Sequence, residues 1–301
     1  MNDRISRRDF LQRTAALAGV AIATPLSPHA AEVAAKRTAA DQVTLGNTGV
    51  KLSRLGIGTG SNSGNVQRGL GRESFNRLLR YAYDEGITYI DTAQGYQNHD
   101  WIRDAIKGLP REKLYIQTKM PGSADKPLEL LDRYRKDLGV DYLDTVLVHC
   151  MVKKNWCDEQ KRVMETLGEA QEQKIIRLKG VSCHSLPALG AAAQTDWVNV
   201  NLVRVNPQGK WIDGPVENWN QSGDDITPVM KEIKTMRAKG HGIIGMKMIG
   251  NGEFTKAEDR EKAIRFAMAH REIDAVVIGF KSTQEIDEAI ERMNRALREL
   301  A

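Results

Sequence analysis

Four polar side chains follow three consecutive apolar runs that have the length and composition of β-strands. They are Asp91, Tyr96, Lys119 and His149. In a parallel β/α protein the carboxyl ends of neighbouring strands lie about 4.8 Å apart along one rim. Groups that are distant in the sequence can therefore meet in one cleft, and these four side chains can all hold or transfer a proton.

The chemistry that these residue types favour is protonation of a ligand by the Tyr96 hydroxyl. A free phenol has a pKa of about 10, and a nearby cation lowers that pKa because it stabilises the phenolate. Lys119 is placed to be this cation, and an ion pair with Asp91 would keep Lys119 charged and fixed. His149 would orient a carbonyl oxygen or relay its proton.

Each of the four residues also has an ordinary structural explanation. Asp91 can cap a turn, and Tyr96 can be a packing residue beside Gly95. Lys119 and His149 can be polar strand ends that contact solvent or a neighbour. Four such coincidences on three consecutive strand ends are improbable, so we favour the chemical interpretation.

The elements that must position these residues alternate regularly along the chain. The predicted strands are Arg54–Gly58, Thr88–Asp91, Leu114–Thr118, Thr145–His149, Arg177–Ser182, Trp197–Val205, Gly242–Met246 and Ala275–Ile278. The predicted helices are Arg72–Glu85, Asn98–Lys107, Lys126–Leu138, Glu159–Gln173, Leu186–Gln194, Thr227–Lys239, Ala257–His270 and Thr283–Leu300. Eight alternations over about 250 residues predict an α/β protein, a closed (β/α)8 TIM barrel rather than an open doubly wound sheet.

The longest segment without clear periodicity, Gln208–Ile226, follows the predicted sixth barrel strand. In a barrel it would lie over the carboxyl-terminal face, either as a structured substrate lid or as a variable surface excursion. The shorter segment Met151–Asp158 is a candidate for the wall of the pocket.

The net charge gives no indication of a nucleic-acid partner. Residues 1–37 carry +3 of the formal net charge of +5, because they hold six Lys or Arg and three acids. The remaining chain is therefore nearly neutral, whereas nucleic-acid binders usually present a dense basic stripe. We expect no nucleic-acid binding.

The N-terminus resembles an export signal. Arg7 and Arg8 precede Phe10 and Leu11, a mild apolar stretch follows, and small residues end it. Twin arginines of this kind mark the Tat pathway, and the alternative is a frayed basic N-terminus. The apolar stretch is too short to span a bilayer stably, so we expect no stable membrane insertion after processing.

The sequence therefore predicts a Tat signal peptide over residues 1–35, a linker over 36–42 and the barrel over 43–301. A short β-hairpin opens the barrel domain, with turn residues at Asn47 to Gly49. The Tat export machinery is the expected partner, and the periplasm or another exported location is expected. Retention in the cytoplasm is the alternative.

The three cysteines, Cys150, Cys157 and Cys183, cannot all pair with one another. Their spacing matches no zinc or iron–sulfur pattern, so we expect neither an obligatory disulfide nor a metal. His184 follows Cys183 directly, but no third metal ligand is apparent in the sequence.

Several motifs resemble those of the aldo-keto reductase superfamily. They are Asp91-Thr-Ala-Gln-Gly-Tyr96, Lys119 in Gln-Thr-Lys-Met, His149 in Leu-Val-His, Leu55-Gly-Ile-Gly-Thr59, Gly180-Val-Ser-Cys-His184 and Val276-Val-Ile-Gly279. The resemblance extends from Val43 nearly to the C-terminus. It implies hydride transfer from a nicotinamide cofactor to an aldehyde or ketone, a small-molecule carbonyl substrate, with Tyr96 as proton donor and His149 positioning the carbonyl group.

The resemblance also implies a cofactor site. The implied residues are Gly58, Thr59, Asp91, Ser182, Asn206, Lys247, Gly279, Lys281 and Thr283. NADP is the expected cofactor, and NAD is possible because Glu285 would repel a 2′-phosphate while Lys281 could bind it. Two positions depart from the family pattern, where Cys183 and Leu202 stand in place of polar residues at the nicotinamide.

Two other functions stay open from the sequence. A barrel can bind a nucleotide without catalysing a reaction, although an intact tetrad argues against this. A lyase or aldolase could use Lys119 as a Schiff-base nucleophile, which requires a lysine of lowered pKa.

Overall fold

The computed structural model of the protein describes residues 37–300. The predicted signal peptide lies outside the described residues. Within this part of the chain, none of the helices is long and apolar enough to cross a membrane.

Eight parallel strands close into a barrel, as the sequence predicts. The ten strands of the structure are β1 Gln42–Thr44, β2 Lys51–Ser53, β3 Leu55–Gly58, β4 Tyr89–Asp91, β5 Tyr115–Pro121, β6 Leu143–Met151, β7 Ile176–Cys183, β8 Val200–Arg204, β9 Gly242–Met246 and β10 Ala275–Gly279. Strands β3 to β10 pair in chain order, and β10 pairs with β3 to close the ring. The predicted hairpin is confirmed, since β1 pairs with β2 in the antiparallel direction.

The α-helices surround the barrel. They are α1 Asn65–Gly69, α2 Arg72–Asp84, α3 His99–Ile106, α4 Pro127–Leu138, α5 Trp156–Glu159, α6 Lys161–Glu172, α7 Leu186–Gln194, α8 Thr227–Ala238, α9 Ala257–Ala269 and α10 Thr283–Glu299. Short 3-10 helices cover Gln94–Tyr96, Arg111–Lys113 and Gly250–Gly252. Two helices begin at serine caps, because the Ser185 and Ser282 hydroxyls accept hydrogen bonds from backbone N–H groups three residues later.

Strand alternation determines which side chains face the inside of the barrel. The interior apolar cluster contains Tyr89, Tyr115, Leu147, Leu178, Val200, Leu202, Ile244, Ala275 and Val277. Alternate residues such as Ile57, Ile90 and Ile116 belong to the larger core between the barrel and the helices. Since residues of one strand face the same side at every second position, Asp91 and Lys119 share the inner face with Tyr89 and Tyr115.

The hairpin closes the amino-terminal end of the barrel. Leu45, Val50 and Leu52 belong to the interior cluster. The Asn47 N–H donates to the Gly240 carbonyl at 2.8 Å, just before β9 begins. The opposite, carboxyl-terminal end is where the polar strand ends lie.

Three local features were not predicted. Helix α1 is too short to show a periodic pattern, and α5 begins within the segment 151–158 that we expected to be a pocket wall. A bulge interrupts the pairing of β6 with β7 after Val148, and Cys150 in that bulge has a φ of 62°. The bulge lies directly beside His149.

Candidate active site

Asp91 and Lys119 form a buried ion pair at the centre of the carboxyl-terminal rim. The Lys119 Nζ lies 2.8 Å from Asp91 Oδ1 and 2.7 Å from Oδ2, and it also donates to the Thr92 carbonyl at 2.8 Å. The Gln117 amide donates to Asp91 Oδ1 at 2.8 Å. These contacts fix the ammonium group in one place, because neighbouring strands β4 and β5 hold both partners.

The ion pair keeps Lys119 protonated. Burial lowers the pKa of Lys119 and is the largest single influence, but the charges of Asp91 and Tyr96 and hydrogen bonds to both together outweigh it, so the pKa lies above its ordinary value. The direction matches the expectation from the sequence. It also removes the condition that a Schiff-base lysine requires, which is a lowered pKa.

Tyr96 lies in the 3-10 turn after β4, with its ring beside Lys119 and His149. The Lys119 Nζ is 5.0 Å from the centroid of the Tyr96 ring. The rings of Tyr96 and His149 meet edge to face, with centroids 5.9 Å apart at 84°. The turn, β5 and β6 therefore bring the phenol, the ammonium and the imidazole together.

The acidity of Tyr96 differs from the simple expectation. Burial raises the pKa of Tyr96, and the charge of Lys119 lowers it by a smaller amount, so the pKa lies above that of a free phenol. The lysine acts in the predicted direction, but the low polarity of the cleft opposes it more strongly. Tyr96 is consequently a protonated phenol at neutral pH, able to donate its proton.

His149 is a neutral imidazole in this setting. Burial, together with the charge of Lys119, lowers the pKa of His149 to about 3. The backbone beyond it is held by the bulge, where the Cys150 N–H donates to the Ser182 hydroxyl at 3.0 Å. A neutral imidazole has one N–H donor and one acceptor nitrogen. His149 can therefore orient a carbonyl oxygen by donating a hydrogen bond to it while remaining uncharged.

A cleft of about 450 Å³ opens beside Asp91 and Tyr96. Its lining comes from the loops after β3, β4, β9 and β10 and from helices α9 and α10. Five of the predicted cofactor residues line it, namely Gly58, Asp91, Lys247, Gly279 and Lys281. A cleft that extends from Tyr96 to the last two barrel loops has the position expected for a dinucleotide.

The other four predicted cofactor residues, Thr59, Ser182, Asn206 and Thr283, are not in the lining of this cleft. Thr59 is buried and its hydroxyl donates to the Asp91 carbonyl at 3.0 Å. Ser182 is the acceptor for Cys150, and the Asn206 amide donates to the carbonyls of Lys210 and Lys247. Thr283 is the first residue of α10.

The far end of the cleft can hold phosphate groups. Burial, followed by the charges of Arg204 and Lys119, lowers the pKa of Lys247 to about 8. Gly279 allows close packing there, since an added Cβ would lie 2.1 Å from the Ser61 hydroxyl. A cation and the start of α10 are features that suit a pyrophosphate.

Sequence reasoning missed Gly60, which lines the cleft. A Cβ added at Gly60 would lie 2.2 Å from the Tyr96 ring. The glycine therefore allows the catalytic candidate to pack against the backbone after β3. The two nearby glycines, Gly58 and Gly60, indicate that another group approaches the backbone closely. The sequence does not identify the Tyr96 ring as that group, because the contact forms only in the tertiary fold.

The outer part of the cleft holds a charged cluster that the sequence did not indicate. Arg260 and Arg292 both bind Glu288, at 2.7 and 2.8 Å. Glu288 thus neutralises part of the positive charge where the cleft meets α9 and α10. No periodic pattern marks this cluster, because its members come from two helices.

The two departures from the family pattern do not lie in the lining of the cleft. Leu202 packs in the interior of the barrel, and Cys183 packs between the barrel and the helices. Burial raises the pKa of the Cys183 thiol well above its usual value. Both side chains contribute to the core.

Segment 208–226, which we expected to be either a substrate lid or a surface excursion, is joined to the barrel by an ion pair and hydrogen bonds. Arg204, the last residue of β8, forms a buried ion pair with Asp213 at 2.8 Å. Ser222 forms an isolated β-bridge with Asp213, and the Trp211 indole donates to Glu253 at 2.6 Å. Neither Arg204 nor Asp213 was among the predicted site residues.

The comparison with known proteins gives one family throughout. The model described as the Aldo/keto reductase family matches residues 54–298. The chain is 34% identical over 170 residues to the 9,11-endoperoxide prostaglandin H2 reductase of Trypanosoma cruzi, covering 55% of this chain and 56% of that protein. It is 29% identical over 187 residues to the NAD/NADP-dependent indole-3-acetaldehyde reductase of Schizosaccharomyces pombe, covering 60% of this chain and 62% of that protein.

The chain thus spans less than two thirds of the length of these curated relatives. Among solved structures, an aldo-keto reductase of Bacillus halodurans in its holo form superposes with a TM-score of 0.66 at 16% identity, covering 87% of this chain and 96% of that one. At that identity the structural likeness supports the fold alone.

Proposed function

Since the chain belongs to the aldo/keto reductase family, we propose that it reduces an aldehyde or ketone to an alcohol with NAD(P)H. The observation that carries this proposal is the grouping of Asp91, Tyr96, Lys119 and His149, of which Asp91 and Tyr96 line a cleft of about 450 Å³. The activity also agrees with the reductase names of the relatives.

The bound nicotinamide would supply the hydride to the carbonyl carbon. The protein's own residues supply the proton and the geometry. The neutral His149 orients the carbonyl oxygen near the phenol, and Tyr96 transfers its proton to that oxygen as negative charge develops there. Lys119, held charged by Asp91, stabilises the phenolate that remains.

The two alternative functions have less support. A Schiff-base mechanism would need Lys119 to lose its proton easily, and its ion pair with Asp91 has the opposite effect. A barrel that only binds a nucleotide would not require the Tyr96 hydroxyl, Lys119 and His149 to lie together. Borohydride trapping on a carbonyl substrate should therefore leave Lys119 unmodified.

We further propose NADP(H) as the preferred cofactor, with weak discrimination against NAD(H). Lys281 is exposed at the cleft and can reach a 2′-phosphate. Glu285 lies 4.0 Å from the Lys281 Nζ and accepts a hydrogen bond from the Lys281 N–H at 2.7 Å. The carboxylate therefore offsets the lysine's charge, so Glu285→Gln should tighten NADPH binding and leave NADH binding nearly unchanged.

The test combines binding and turnover. NADPH and NADH are titrated by fluorescence against the protein lacking residues 1–35, and aldehydes and ketones are then screened for oxidation of the bound cofactor. Tyr96→Phe should lose most turnover, on the order of 100-fold or more, while cofactor binding persists.

The matched control is Tyr81→Phe. Tyr81 also carries a hydrogen-bonded hydroxyl, which donates to Asp287 at 2.6 Å on the outside of the barrel. It should retain full activity. Unchanged reduction by Tyr96→Phe would rule out the proton-donor role.

We also propose export through the Tat pathway, which rests on the sequence of residues 1–35. Arg7→Lys combined with Arg8→Lys should leave the precursor in the cytoplasm, because the twin arginines are the recognition element of that pathway. Fractionation of cells that express the full chain provides the measurement. Normal delivery of the double variant would contradict the proposal.

A further inference from the structure

The Arg204–Asp213 pair is a buried ion pair at the rim of the barrel, and it has no role in the proposed reaction. Arg204 is 1% exposed and Asp213 is 0% exposed. The Arg204 Nε donates to Asp213 Oδ1 at 2.8 Å. The other carboxylate oxygen, Asp213 Oδ2, is buried without a hydrogen-bond partner among the described residues.

The Arg204 guanidinium connects three parts of the chain. Besides Asp213, it donates to the Trp219 carbonyl at 3.1 Å and to the His184 carbonyl at 2.5 Å. Asp213 and Trp219 both belong to segment 208–226, and His184 lies between β7 and α7. A single side chain from β8 therefore holds two points of the segment against a neighbouring loop.

Further contacts place the segment on the same face as the proton donor. The Lys154 N–H, after β6, donates to Glu217 at 2.7 Å, and the Trp211 indole donates to Glu253 in the loop between β9 and α9. The charges of Arg204 and Asp213 both act on the Cys150 thiol, next to His149. The segment thus extends over the rim from the loop after β6, beside His149, to the loop after β9, which also lines the cofactor cleft.

Stability is a poor explanation for this pair. Burial raises the pKa of Asp213 to about 6 even though Arg204 opposes the rise. Removing two charges from water usually costs as much as their attraction returns, and buried pairs are often replaceable by apolar residues. What such a pair can provide is one defined conformation, because each donor of the guanidinium has a fixed direction.

We propose that Arg204 and Asp213 are positioning residues that hold segment 208–226 as a fixed wall for the carbonyl substrate. This inference rests on the proposed reductase function. The wall acts on substrate binding, whereas Tyr96 transfers the proton. Loss of the wall should therefore raise KM far more than it lowers kcat. The segment also contacts the loop after β9 through Trp211 and Glu253, so cofactor affinity is measured separately from KM.

The test uses Asp213→Asn, which keeps the side-chain volume and removes the charge. We expect KM for the carbonyl substrate, measured at saturating cofactor, to rise at least about tenfold, with kcat changed less than about threefold. Limited proteolysis should also cut faster within 208–226. The control is Asp144→Asn, since Asp144 is likewise fully buried between two arginines, Arg111 and Arg177, but lies near the amino-terminal end of β6.

A second variant separates positioning from folding. Arg204→Met combined with Asp213→Leu removes both charges and avoids an unpaired buried ion. A folded double variant with a raised KM supports the proposal, and one with the KM of the natural protein overturns it. An equal rise in KM in Asp144→Asn would also overturn it, because the effect would then follow from general destabilisation.

Failure of the underlying function gives a different result. If the natural protein binds cofactor but reduces no carbonyl compound, the reductase proposal fails while proteolysis still reports on the pair. Cleavage within 208–226 that is equally slow in the natural protein and Asp213→Asn would overturn the positioning role by itself.

Discussion

At the scale of single residues, the position of the Tyr96 hydroxyl depends on its neighbours. The ring lies between the Gly60 backbone, the Lys119 ammonium and the His149 imidazole. Errors of about 1 Å in such a position can cost on the order of 100-fold in rate. Small changes next to the ring should therefore have large effects on turnover.

Gly60→Ala provides a direct test. The new methyl group would overlap the Tyr96 ring, which must move, so kcat should fall at least about tenfold. Gly95→Ala is the control, because a Cβ at Gly95 meets nothing within 4 Å although Gly95 adjoins Tyr96. Steady-state kinetics on both variants provide the measurement, and equal activities would contradict the packing argument.

The pH dependence of reduction follows from the same residues. Reduction requires protonated Tyr96, whose pKa is raised by burial, so kcat should stay constant through neutral pH and fall only at a pH above that at which a free phenol ionises. His149, with a pKa of about 3, should add no inflection between pH 5 and 8. The profile should be measured at saturating cofactor, because Lys247 loses its charge above a pH of about 8 and cofactor binding then weakens.

An inflection in kcat between pH 6 and 7 would show that His149 titrates in the working enzyme. The alkaline fall should disappear in the residual activity of Tyr96→Phe, which has no phenol to ionise. These two results separate the roles of the imidazole and the phenol.

The four residues at the strand ends were predictable because strand ends in a barrel converge. Polar groups after apolar runs mark that rim directly. The raised pKa of Tyr96 was not predictable, since it depends on how deeply the fold buries the ring. Arg204 was missed because a single cation inside an apolar run gives no indication of its partner, nine residues away in an irregular segment.

At the scale of elements, the approach of β7 to β8 depends on Gly180. A Cβ there would lie 1.9 Å from the Val200 carbonyl oxygen. Gly180→Ala should therefore push the strands apart and destabilise the barrel by about 1–3 kcal/mol. The measurement is the free energy of unfolding in denaturant.

Gly168→Ala is the matched control for that variant. Gly168 lies in the interior of α6, and a Cβ there meets nothing within 4 Å. Alanine in a helix is favoured over glycine by up to about 1 kcal/mol, so this variant should be more stable than the natural protein. If both variants are destabilised, then replacing a glycine is destabilising in itself, and overlap with the Val200 carbonyl oxygen is not needed to explain the effect of Gly180→Ala.

Prediction of the elements succeeded where the patterns were long. All eight barrel strands were located, because apolar runs of four or more residues alternated with amphipathic helices. Prediction was less accurate where tertiary contacts decide the backbone: the helix expected over Glu159–Gln173 forms as α6, but the short helix α5 before it was not predicted, and the bulge at Cys150 has no local signal.

At the scale of the whole molecule, cofactor binding should raise the thermal stability of the protein. A ligand at 100 times its Kd stabilises the folded state by about 2.7 kcal/mol. For a domain of this size, that corresponds to a rise in Tm of about 5–10 °C. Saturating NADPH should produce this shift in thermal unfolding, and Tyr96→Phe should show it as well because it lacks only the proton donor.

The absence of any shift with NADPH or NADH would contradict dinucleotide binding by the folded protein. A shift with NADH alone would reverse the proposed preference. Glu285→Gln should enlarge the rise in Tm that NADPH produces. This result would show that the Glu285 carboxylate opposes NADPH binding.

The hairpin at the closed end of the barrel bears on the export proposed above. The described chain is already engaged at Thr38, whose N–H donates to Asp41 at 2.8 Å, and at Ala39, whose N–H donates to Asn294 in α10 at 2.8 Å. Strand β1 then begins at Gln42, and Leu45 belongs to the interior cluster. A peptidase that removed the proposed leader would have to cut before Thr38, because a cut farther along the chain would first break the contact with α10 and then remove the hairpin that closes the barrel.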